Sequence, residues 1–340
     1  MIAWINRLLM SLVFCGALTS AHSQESEKAF YAGKTVKMIV GAGNGGGYDI
    51  ISRMIAHYLA KELGANVIVE NQPGAGGFIA LNRLYVAPAD GLQISLVNGT
   101  SAAFAQLTRD PAARFDLARL TYLANVGASA GVWLVGPKSP IRSVQQAIDV
   151  KSKWSWASSG ATSQLGIGAA FTCEALKLDC HVVQGYKGSA EAALAVTRGE
   201  MDALYVAELS ANNYVRAGQN WALATMSRTR LRFFQDFPTI FEAAKMDADQ
   251  TWVMDFLANV EQLGRILVAP PGIPPARLAY LQDAVRQTLL NPQLIADGEK
   301  AQRIIEYLEP VATQMKAVAV VGSATPEQRD RVLKIIARAK

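Results

Sequence analysis

The chain has 340 residues, with 33 lysines and arginines against 28 acidic residues and a formal net charge of +5 at pH 7. The basic residues are spread out and not interleaved with aromatic residues, so the composition excludes an ordinary nucleic-acid-binding surface. After the first 23 residues no stretch reaches the roughly 20 uninterrupted apolar residues of a membrane-spanning helix. The length is sufficient for two domains that each bury a core.

The first segment predicts export. Arg7 precedes an apolar run over residues 8–18, and small and polar residues follow up to Ser23, which is the three-part pattern of a secretory signal peptide. We expect a signal peptide over residues 1–23 and a mature chain in the periplasm. Cys15 lies inside the run, but Phe14 precedes it where a lipoprotein signal needs a small residue, so lipidation is the less favoured alternative.

From residue 35 the chain alternates short β-branched runs with amphipathic segments, which predicts an α/β protein with largely parallel sheets. Each early strand ends in a turn rich in glycine or small polar residues. The predicted units, in chain order, are a strand over 35–40 and a helix over 49–63, a strand over 66–70 and a helix over 78–86, and a strand over 93–97 that runs into a helix.

A second series of the same kind begins after residue 120, where we expect the chain to cross into another lobe. Strands are predicted over 154–157, 181–184 and 202–206, with helices over 143–151, 164–176 and 190–198. A strand over 266–268 and a proline-rich turn then lead back. These units predict a first lobe formed by residues 24–125 and 267–340 and a second lobe formed by residues 126–266.

The first turn is open to several interpretations. Residues 41–46 match G-x-G-x-x-G between a strand and a helix, and Glu70 ends the next strand, so dinucleotide binding is one alternative. Asp49, however, would place a carboxylate in the first helical turn, where a pyrophosphate would bind. A purely structural role for the glycines in a tight turn is another alternative.

Backbone recognition of a carboxylate explains more of the pattern. Loops over 41–48, 73–82 and 157–171 contain no charged side chain, and each precedes a helix whose first N–H groups carry partial positive charge. Ligands of open α/β sheets bind at the carboxyl ends of strands, where these loops lie. Hydroxyl donors add to this surface at Thr100, Ser101, Ser158, Ser159, Thr162 and Ser163.

Catalytic and metal-binding patterns are weak, so we expect no enzyme, no cofactor and no metal. The mature chain keeps only His57 and His181, and no nucleophile elbow or H-E-x-x-H motif occurs. A hydrolase using Ser159 or Ser163 would lack an obvious base. Glu208 follows a predicted strand and is interpreted as a surface residue, with a cation or an ammonium group as an alternative partner.

Cys173 and Cys180 remain after removal of the signal segment, as an even pair in an oxidising compartment. We predict a disulfide between the end of one helix and the start of the next strand.

Several motifs together resemble the extracytoplasmic receptors of tripartite tricarboxylate transporters, the Bug family. They span essentially the whole mature chain in the order of that family. The matching runs are KMIVGAGNGGGYD at 37–49, VIVENQPGAGG at 67–77, APADG at 87–91, YKG at 186–188, GEMD at 199–202, FPT at 237–239 and APPGIP at 269–274.

The resemblance implies a type II periplasmic-binding-protein fold, in which two α/β lobes joined by crossing strands close on a ligand carboxylate. It also implies large and small membrane subunits as partners of a monomeric receptor that delivers a small di- or tricarboxylate or an aromatic acid. A periplasmic sensor of a carboxylate would share the fold and pocket and is an alternative output. The predicted ligand-binding residues are Gly41, Ala42, Gly43, Asn44, Gly45, Gly46, Gly47, Tyr48, Asp49, Gly74, Ala75, Gly76, Gly77, Thr100, Ser101, Ser158, Ser159, Gly160, Thr162, Ser163, Tyr186, Gly188 and Ser189.

The first loop departs from the family pattern. Relatives usually carry Pro-Phe-x-Pro there, whereas this chain has Gly41, Ala42 and Asn44, and it adds the bulky Tyr48. Where relatives commonly have a histidine in the second loop, this chain has Gln164 or Leu165. A roomier pocket near Ala42 is therefore expected, one that admits a larger or aromatic acid.

Overall fold

A computed structural model of the chain describes residues 25–128, 130–322 and 324–338. The predicted signal peptide lies outside the described residues. Within these ranges, no helix combines the length and the apolar character needed to cross a membrane.

The described strands form two separate five-stranded sheets. In chain order the strands are β1 (Thr35–Val40), β2 (Asn66–Asn71), β3 (Gln93–Asn98), β4 (Thr121–Asn125), β5 (Gly131–Val135), β6 (Trp154–Ala157), β7 (Cys180–Val183), β8 (Ala203–Ala207), β9 (Trp221–Thr225) and β10 (Arg265–Ala269).

Helices connect the strands and cover the sheets. They are α1 (25–31), α2 (Gly47–Leu63), α3 (Phe78–Tyr85), α4 (Gly99–Leu107), α5 (Val144–Asp149), α6 (Gln164–Leu176), α7 (Ser189–Arg198), α8 (Glu208–Arg216), α9 (Ile240–Ala243), α10 (Ala248–Glu261), α11 (Pro275–Leu289), α12 (Pro292–Lys300), α13 (Pro310–Gly322) and α14 (Pro326–Ala337), and a 3₁₀ turn (Ala75–Gly77) precedes α3.

The first sheet has the order β2-β1-β3-β10-β4. Strand β1 pairs in parallel with β2 and β3, because the intervening helices return the chain to the same end of the sheet each time. Strand β10 enters from the second sheet and therefore runs antiparallel to β3 and β4. The carboxyl ends of β1, β2 and β3 consequently meet at one edge.

The second sheet has the order β7-β6-β8-β5-β9 and repeats this arrangement. Strand β6 is parallel to β7 and β8, whereas β5, which arrives from the first sheet, is antiparallel to β8 and β9. The carboxyl ends of β6 and β7 thus also share an edge, as the alternating pattern in the sequence predicts.

Two crossing segments connect the sheets, the first described at residues 126–128 and 130 and the second at residues 262–264, and they are hydrogen-bonded to each other. The Asn125 side chain donates to the carbonyl oxygen of Leu263 at 3.0 Å and accepts from the backbone N–H of Gly127 at 2.8 Å. Backbone bonds of 2.7 and 3.1 Å link residues 126 and 127 to Arg265. The crossings therefore form one short hydrogen-bonded unit.

Helices α4, α6 and α10 pack between the two sheets through aromatic contacts. The ring of Phe104 in α4 meets that of Phe171 in α6 at 5.3 Å between centroids, and Phe256 in α10 lies 6.2 Å from both. Helix α14 packs against the same group, with Ile335 buried and Arg331 paired with Asp249 of α10 at 2.6 Å. The lobe boundaries themselves stay a prediction.

Cys173 in the last turn of α6 and Cys180 at the start of β7 are joined by a disulfide, with 6.2 Å between their Cα atoms. The seven-residue separation makes this a short closed loop that constrains the unfolded chain only modestly. The bridge fixes the helix that carries one wall of the cavity described below to the neighbouring strand.

We predict that reducing this disulfide lowers the free energy of unfolding by about 2 kcal/mol, because the reduced unfolded chain regains the entropy of the open loop. Urea unfolding of the oxidised and the reduced protein measures the difference. A double Cys173→Ala, Cys180→Ala variant is the control, since its stability should not respond to reductant. Equal stability of the oxidised and reduced wild type would contradict a structural role for the bridge.

Candidate functional site

A cavity of about 640 Å³ lies between the two sheets, at the edges where the parallel strands end. Segments after β1, β2 and β3 form one wall, and segments after β6 and β7 form the other. The lining residues are Gly41, Ala42, Tyr48, Ala75, Gly76, Gly77, Phe78, Ser95, Leu96, Val97, Asn98 and Ser101 on the first wall, and Ser159, Gly160, Thr162, Ser163, Gln164, Leu165, Tyr186, Lys187, Gly188 and Ser189 on the second.

Most predicted ligand-binding residues are therefore brought together, but some are not. Those absent from the lining are Gly43, Asn44, Gly45, Gly46, Gly47, Asp49, Gly74, Thr100 and Ser158. Gly43 and Asn44 are exposed on the outer part of the first loop, whereas Thr100 is 1% exposed inside α4. The first loop thus contributes only its two ends, residues 41–42 and Tyr48, to the cavity.

Gly41 and Gly77 bring the two glycine loops of the first wall into backbone contact. A Cβ atom at Gly41 would lie 2.6 Å from the Cα and 2.8 Å from the carbonyl oxygen of Gly77. Gly77 itself has φ +96°, which favours glycine. Only glycine at position 41 allows this approach, and the approach sets the shape of the first wall.

Asp49 holds the first loop from behind. Its carboxylate accepts from the Gly45 N–H at 2.8 Å and pairs with Arg53 at 2.9 Å. Burial opposes ionisation of Asp49, but the hydrogen bonds from Arg53 and Gly45 outweigh it and hold the pKa of this carboxyl below its usual range. A loop N–H is therefore already occupied by an internal anion, which disfavours a pyrophosphate at this turn.

Asn71 connects this network to the cavity wall. Its side chain accepts from Arg53 at 3.0 Å and donates to the carbonyl oxygen of Ala42, a lining residue, at 3.0 Å. The asparagine of the VENQPGAGG run thus positions the first loop and does not itself line the cavity.

The second wall is built from a serine-rich turn after β6. Ser158 is fully buried and bonds to Gly160, while Ser163 donates to the Gly160 carbonyl at 2.7 Å and caps α6 by accepting from the Gly166 N–H at 3.2 Å. These hydroxyls are used inside the turn. Ser159 and Thr162 remain as lining residues that the turn presents to the cavity.

Helices that begin at the cavity differ in their caps. Asn98 and Ser163 cap α4 and α6 with side-chain oxygens, whereas α3 and α7 begin at Gly77 and Gly188 without a side-chain cap. The partial positive charge of an uncapped helix start is available to an anion. Ser189 at the start of α7 accepts from Tyr214 at 3.0 Å, which leaves its own O–H free to donate.

The charge of the lining is also suited to an anion. Among the lining residues there is no aspartate, glutamate or histidine, and Lys187 is the one charged side chain. Burial raises the pKa of Tyr48 to about 12, even though Arg265 lowers it, and burial also raises the pKa of Tyr186. Both tyrosines are thus neutral hydroxyl groups at physiological pH.

The two histidines considered for catalysis lie outside the cavity lining. His57 and His181 are exposed on α2 and β7, away from the serine turn. Within the described residues, no group of three or more histidine, cysteine or acidic side chains is placed to hold a metal ion. The interpretation of Glu208 as a surface residue was wrong, because it is partly buried, its carboxylate accepts from the Phe233 N–H at 3.2 Å, and burial raises its pKa.

The sequence model of the tripartite tricarboxylate transporter family receptors matches residues 51–302, which is most of the chain. The chain belongs to this receptor family. The match includes elements of both walls of the cavity, and it agrees with the resemblance that the sequence motifs carry.

Similar proteins support the family and the fold. A UPF0065 protein of Bordetella pertussis is 28% identical over 295 residues, covering 85% of each chain. The periplasmic binding protein BugD has a TM-score of 0.71 at 22% identity, covering 90% of this chain and 98% of its own. MatC of Rhodopseudomonas palustris, solved with bound malate, has a TM-score of 0.69 at 22% identity, covering 89% and 99%. These likenesses confirm the periplasmic-binding-protein fold.

The cavity lining also contains residues that are not among the predicted ligand-binding residues. They are Phe78, Ser95, Leu96, Val97, Asn98, Gln164, Leu165 and Lys187. Asn98 and Lys187 lie in turns that the sequence already predicted to follow strands. Their position after a strand was therefore enough to suggest that they line the cavity. Ser95, Leu96 and Val97 lie inside β3, where a buried strand pattern does not distinguish core from cavity wall.

Glu261, the last residue of α10, lies behind the second wall and is 1% exposed. Its carboxyl accepts from the Gln164 side chain at 3.1 Å and from the Gly131 N–H at 3.0 Å. Burial raises the pKa of Glu261 to about 7, although these hydrogen bonds lower it. This receptor thus holds a buried carboxyl one residue away from its cavity.

We predict that Gly41→Ala destabilises the fold by about 1–3 kcal/mol, because the added methyl group overlaps the Gly77 backbone and the loops must separate. Thermal and urea unfolding measure the change. Gly43→Ala is the matched control, since a Cβ atom there meets nothing within 4 Å. Equal stabilities of the two variants would contradict the importance of the contact between the glycine loops.

Proposed function

We propose that the chain is an exported periplasmic receptor that captures a small carboxylate between two lobes and delivers it to the large and small membrane subunits of a tripartite transporter. The observation that carries this proposal is the cavity lining, which combines uncapped helix starts, hydroxyl groups and one lysine and contains no acidic side chain. Such a lining recognises an anion chiefly through the backbone.

The class of ligand follows from the two kinds of surface in the cavity. The helix starts at Gly77 and Gly188 suit a carboxylate, and they belong to different walls. Phe78, Leu96 and Leu165 supply apolar surface for the rest of the ligand. A di- or tricarboxylate or an aromatic acid fits this combination, and the bound malate of MatC is in the same chemical class.

Ligand capture is proposed to work as a clamp. A carboxylate that contacts both walls at once adds interactions that exist only when the walls are close, so it shifts the population toward a closed state. Within the described residues the chain passes between the two sheets twice, once between β4 and β5 and once between α10 and β10. These two passages suit a hinge. The receptor is proposed to act as a monomer.

We predict that a bound carboxylate raises the melting temperature of the mature protein. At 100 times its dissociation constant a ligand adds about 2.7 kcal/mol to the free energy of unfolding. A thermal-shift screen of mono-, di- and tricarboxylates and aromatic acids measures this effect, with a nicotinamide dinucleotide as the comparison. If the dinucleotide alone stabilises the protein, the carboxylate proposal fails.

We also predict a specific contribution from Lys187. Lys187→Gln should weaken the binding of a stabilising di- or tricarboxylate by roughly tenfold, because a charge-assisted hydrogen bond contributes about 1.5–3 kcal/mol. It should weaken a matched monocarboxylate much less. Calorimetry measures both affinities, and Lys153→Gln is the control because this exposed lysine lies outside the lining. An equal loss in both lysine variants would show that only net charge matters.

A further inference from the structure

Arg265 lies at the edge of the first sheet where the cavity is found. It is the first residue of β10 and directly follows the crossing segment 262–264. In the ladder between β10 and β3 it is paired with Asn98, a lining residue of the cavity. Residues directly opposite each other in an antiparallel ladder lie on the same face of the sheet. The Arg265 side chain therefore starts beside the cavity floor.

The guanidinium of Arg265 is buried and has no direct partner. Arg265 is 7% exposed, and within the described residues its side chain forms no hydrogen bond and no ion pair. An arginine keeps its proton at physiological pH, so Arg265 remains a buried cation with a desolvation cost. Because little water screens it, its charge acts strongly on the groups around it.

The charged groups near Arg265 do not neutralise it by contact. A Cβ atom at Gly127 would lie 3.4 Å from Oε2 of Glu306 and 3.7 Å from Nη1 of Arg265, so both side chains border the first crossing segment without forming an ion pair. Burial raises the pKa of Glu208, and the charge of Arg265 opposes this rise. Burial lowers the pKa of Arg303, and Arg265 lowers it further.

Tyr48 connects the charge of Arg265 to the cavity. It is the second residue of α2, and it lines the cavity, whereas Arg265 lies outside the lining. Burial raises the pKa of Tyr48 to about 12, and Arg265 lowers it. Within the part of the chain that the structure describes, the Tyr48 hydroxyl forms no hydrogen bond. A neutral hydroxyl near a cation turns its lone pairs toward the cation and its hydrogen away from it, which directs this O–H to the cavity.

We propose that Arg265 is a positioning residue that directs the Tyr48 hydroxyl toward a second carboxylate of the ligand, and thereby makes the receptor prefer dicarboxylates to monocarboxylates. This inference rests on the proposed function. The first carboxylate binds at the helix starts of Gly77 and Gly188, as proposed above. Arg265 does not touch the ligand and acts through Tyr48.

The donors of the cavity favour an anionic group over a neutral tail at this position. Tyr48 supplies a hydroxyl from the first wall, and Lys187 supplies a cation from the second. A hydrogen bond to a charged acceptor is about twice as strong as one between neutral groups. The buried charge of Arg265 attracts a carboxylate but not a methyl group. A ligand that ends in a methyl group would also leave the Tyr48 hydroxyl without an acceptor.

The first test needs no ligand. The ¹³Cζ signal of Tyr48, assigned by comparison with Tyr48→Phe, is recorded by NMR in protein labelled at its tyrosines. We expect Arg265→Met to shift this signal, and Arg265→Lys to restore most of the wild-type position because lysine keeps the charge. Arg119→Met, which removes an exposed arginine outside the lining, should leave the signal unchanged. A signal that stays in place in Arg265→Met would overturn the coupling.

The second test compares adipate with hexanoate, which have the same number of carbon atoms and differ in the second carboxylate. Calorimetry measures both affinities, and their ratio gives the preference for a dicarboxylate. Arg265→Met should lower this ratio roughly tenfold, because it weakens a hydrogen bond to a charged group. Arg265→Lys should recover most of the ratio, and Arg119→Met should keep it. An unchanged ratio in Arg265→Met would contradict the proposal.

Tyr48→Phe tests whether Arg265 acts through Tyr48. The ratio should already be low in this variant, and adding Arg265→Met should lower it little further, because two residues that act as a unit do not have additive effects. Full additivity of the two substitutions would exclude Tyr48 as the intermediary. Tyr48→Phe keeps Arg265, so its own low ratio remains a test if Arg265→Met does not fold.

A purely structural role of Arg265 gives a different result. If Arg265 acted by holding the hinge through Glu208, then Glu208→Gln and Arg265→Met would both weaken adipate and hexanoate equally, and this outcome would overturn the proposal. We expect Glu208→Gln to leave the ratio unchanged or to raise it, because it removes a negative charge near Arg265.

Failure of the two proposals is distinguishable. If neither adipate, hexanoate nor any acid of the thermal-shift screen binds the wild type, the proposed function fails. The NMR signal of Tyr48 still decides whether Arg265 acts on this hydroxyl.

Discussion

Close approach of backbone to backbone is the constraint on which this cavity depends. Gly41 and Gly77 touch where no side chain fits, and the helices that begin at Gly77 and Gly188 carry no side-chain cap. Peptide N–H groups, unlike lysine or arginine side chains, are fixed in position by the fold and lose no side-chain entropy on binding. An anion site made from peptide N–H groups selects its ligand by the positions of the ligand's oxygen atoms, and it adds no formal charge to the cavity lining.

Two buried carboxyl groups, those of Asp49 and Glu261, lie near the cavity but are not part of its lining. Asp49 is ionised and is held by Gly45 and Arg53, so it organises the first loop at the expense of one N–H group. Glu261 lies behind the second wall, forms no ion pair with any of the residues that the structure describes, and has its pKa raised to about 7 by burial. The pKa values of these two carboxyl groups are thus shifted in opposite directions, because Asp49 has a guanidinium beside it and Glu261 has only neutral donors.

The sequence patterns predicted the βαβ units well. The strands at 35–40 and 154–157 and the helix at 164–176 have the predicted bounds, and the remaining predicted strands shift by one residue or extend by one or two. Strands β4, β5 and β9 were not predicted. Strands β4 and β5 flank the first crossing segment and β9 lies at the edge of its sheet, and none of the three is followed by a glycine-rich turn into a helix that would mark it. Short buried runs such as β5 give no periodic signal that separates strand from helix.

For the site, chain position was more informative than residue type. Loops after β1, β2, β6 and β7 do converge, since parallel strands end at one edge, and this could be inferred without coordinates. Which residue of each loop faces inward could not, because the outward course of Gly43 and Asn44 depends on Asp49 reaching back to Gly45. Lys187 lies between the predicted residues Tyr186 and Gly188, so its place in the loop after β7 was the signal for it.

Glu261 shows why residues behind a wall escape sequence reasoning. It lies 97 positions from Gln164 and 130 positions from Gly131, and it ends an ordinary amphipathic helix. Only the folded chain reveals that these three residues meet where α10 leads into a crossing segment. A buried acid at that position has a large desolvation cost, which is reduced by the hydrogen bonds from Gly131 and Gln164. Loss of either donor would therefore raise the pKa of the carboxyl further.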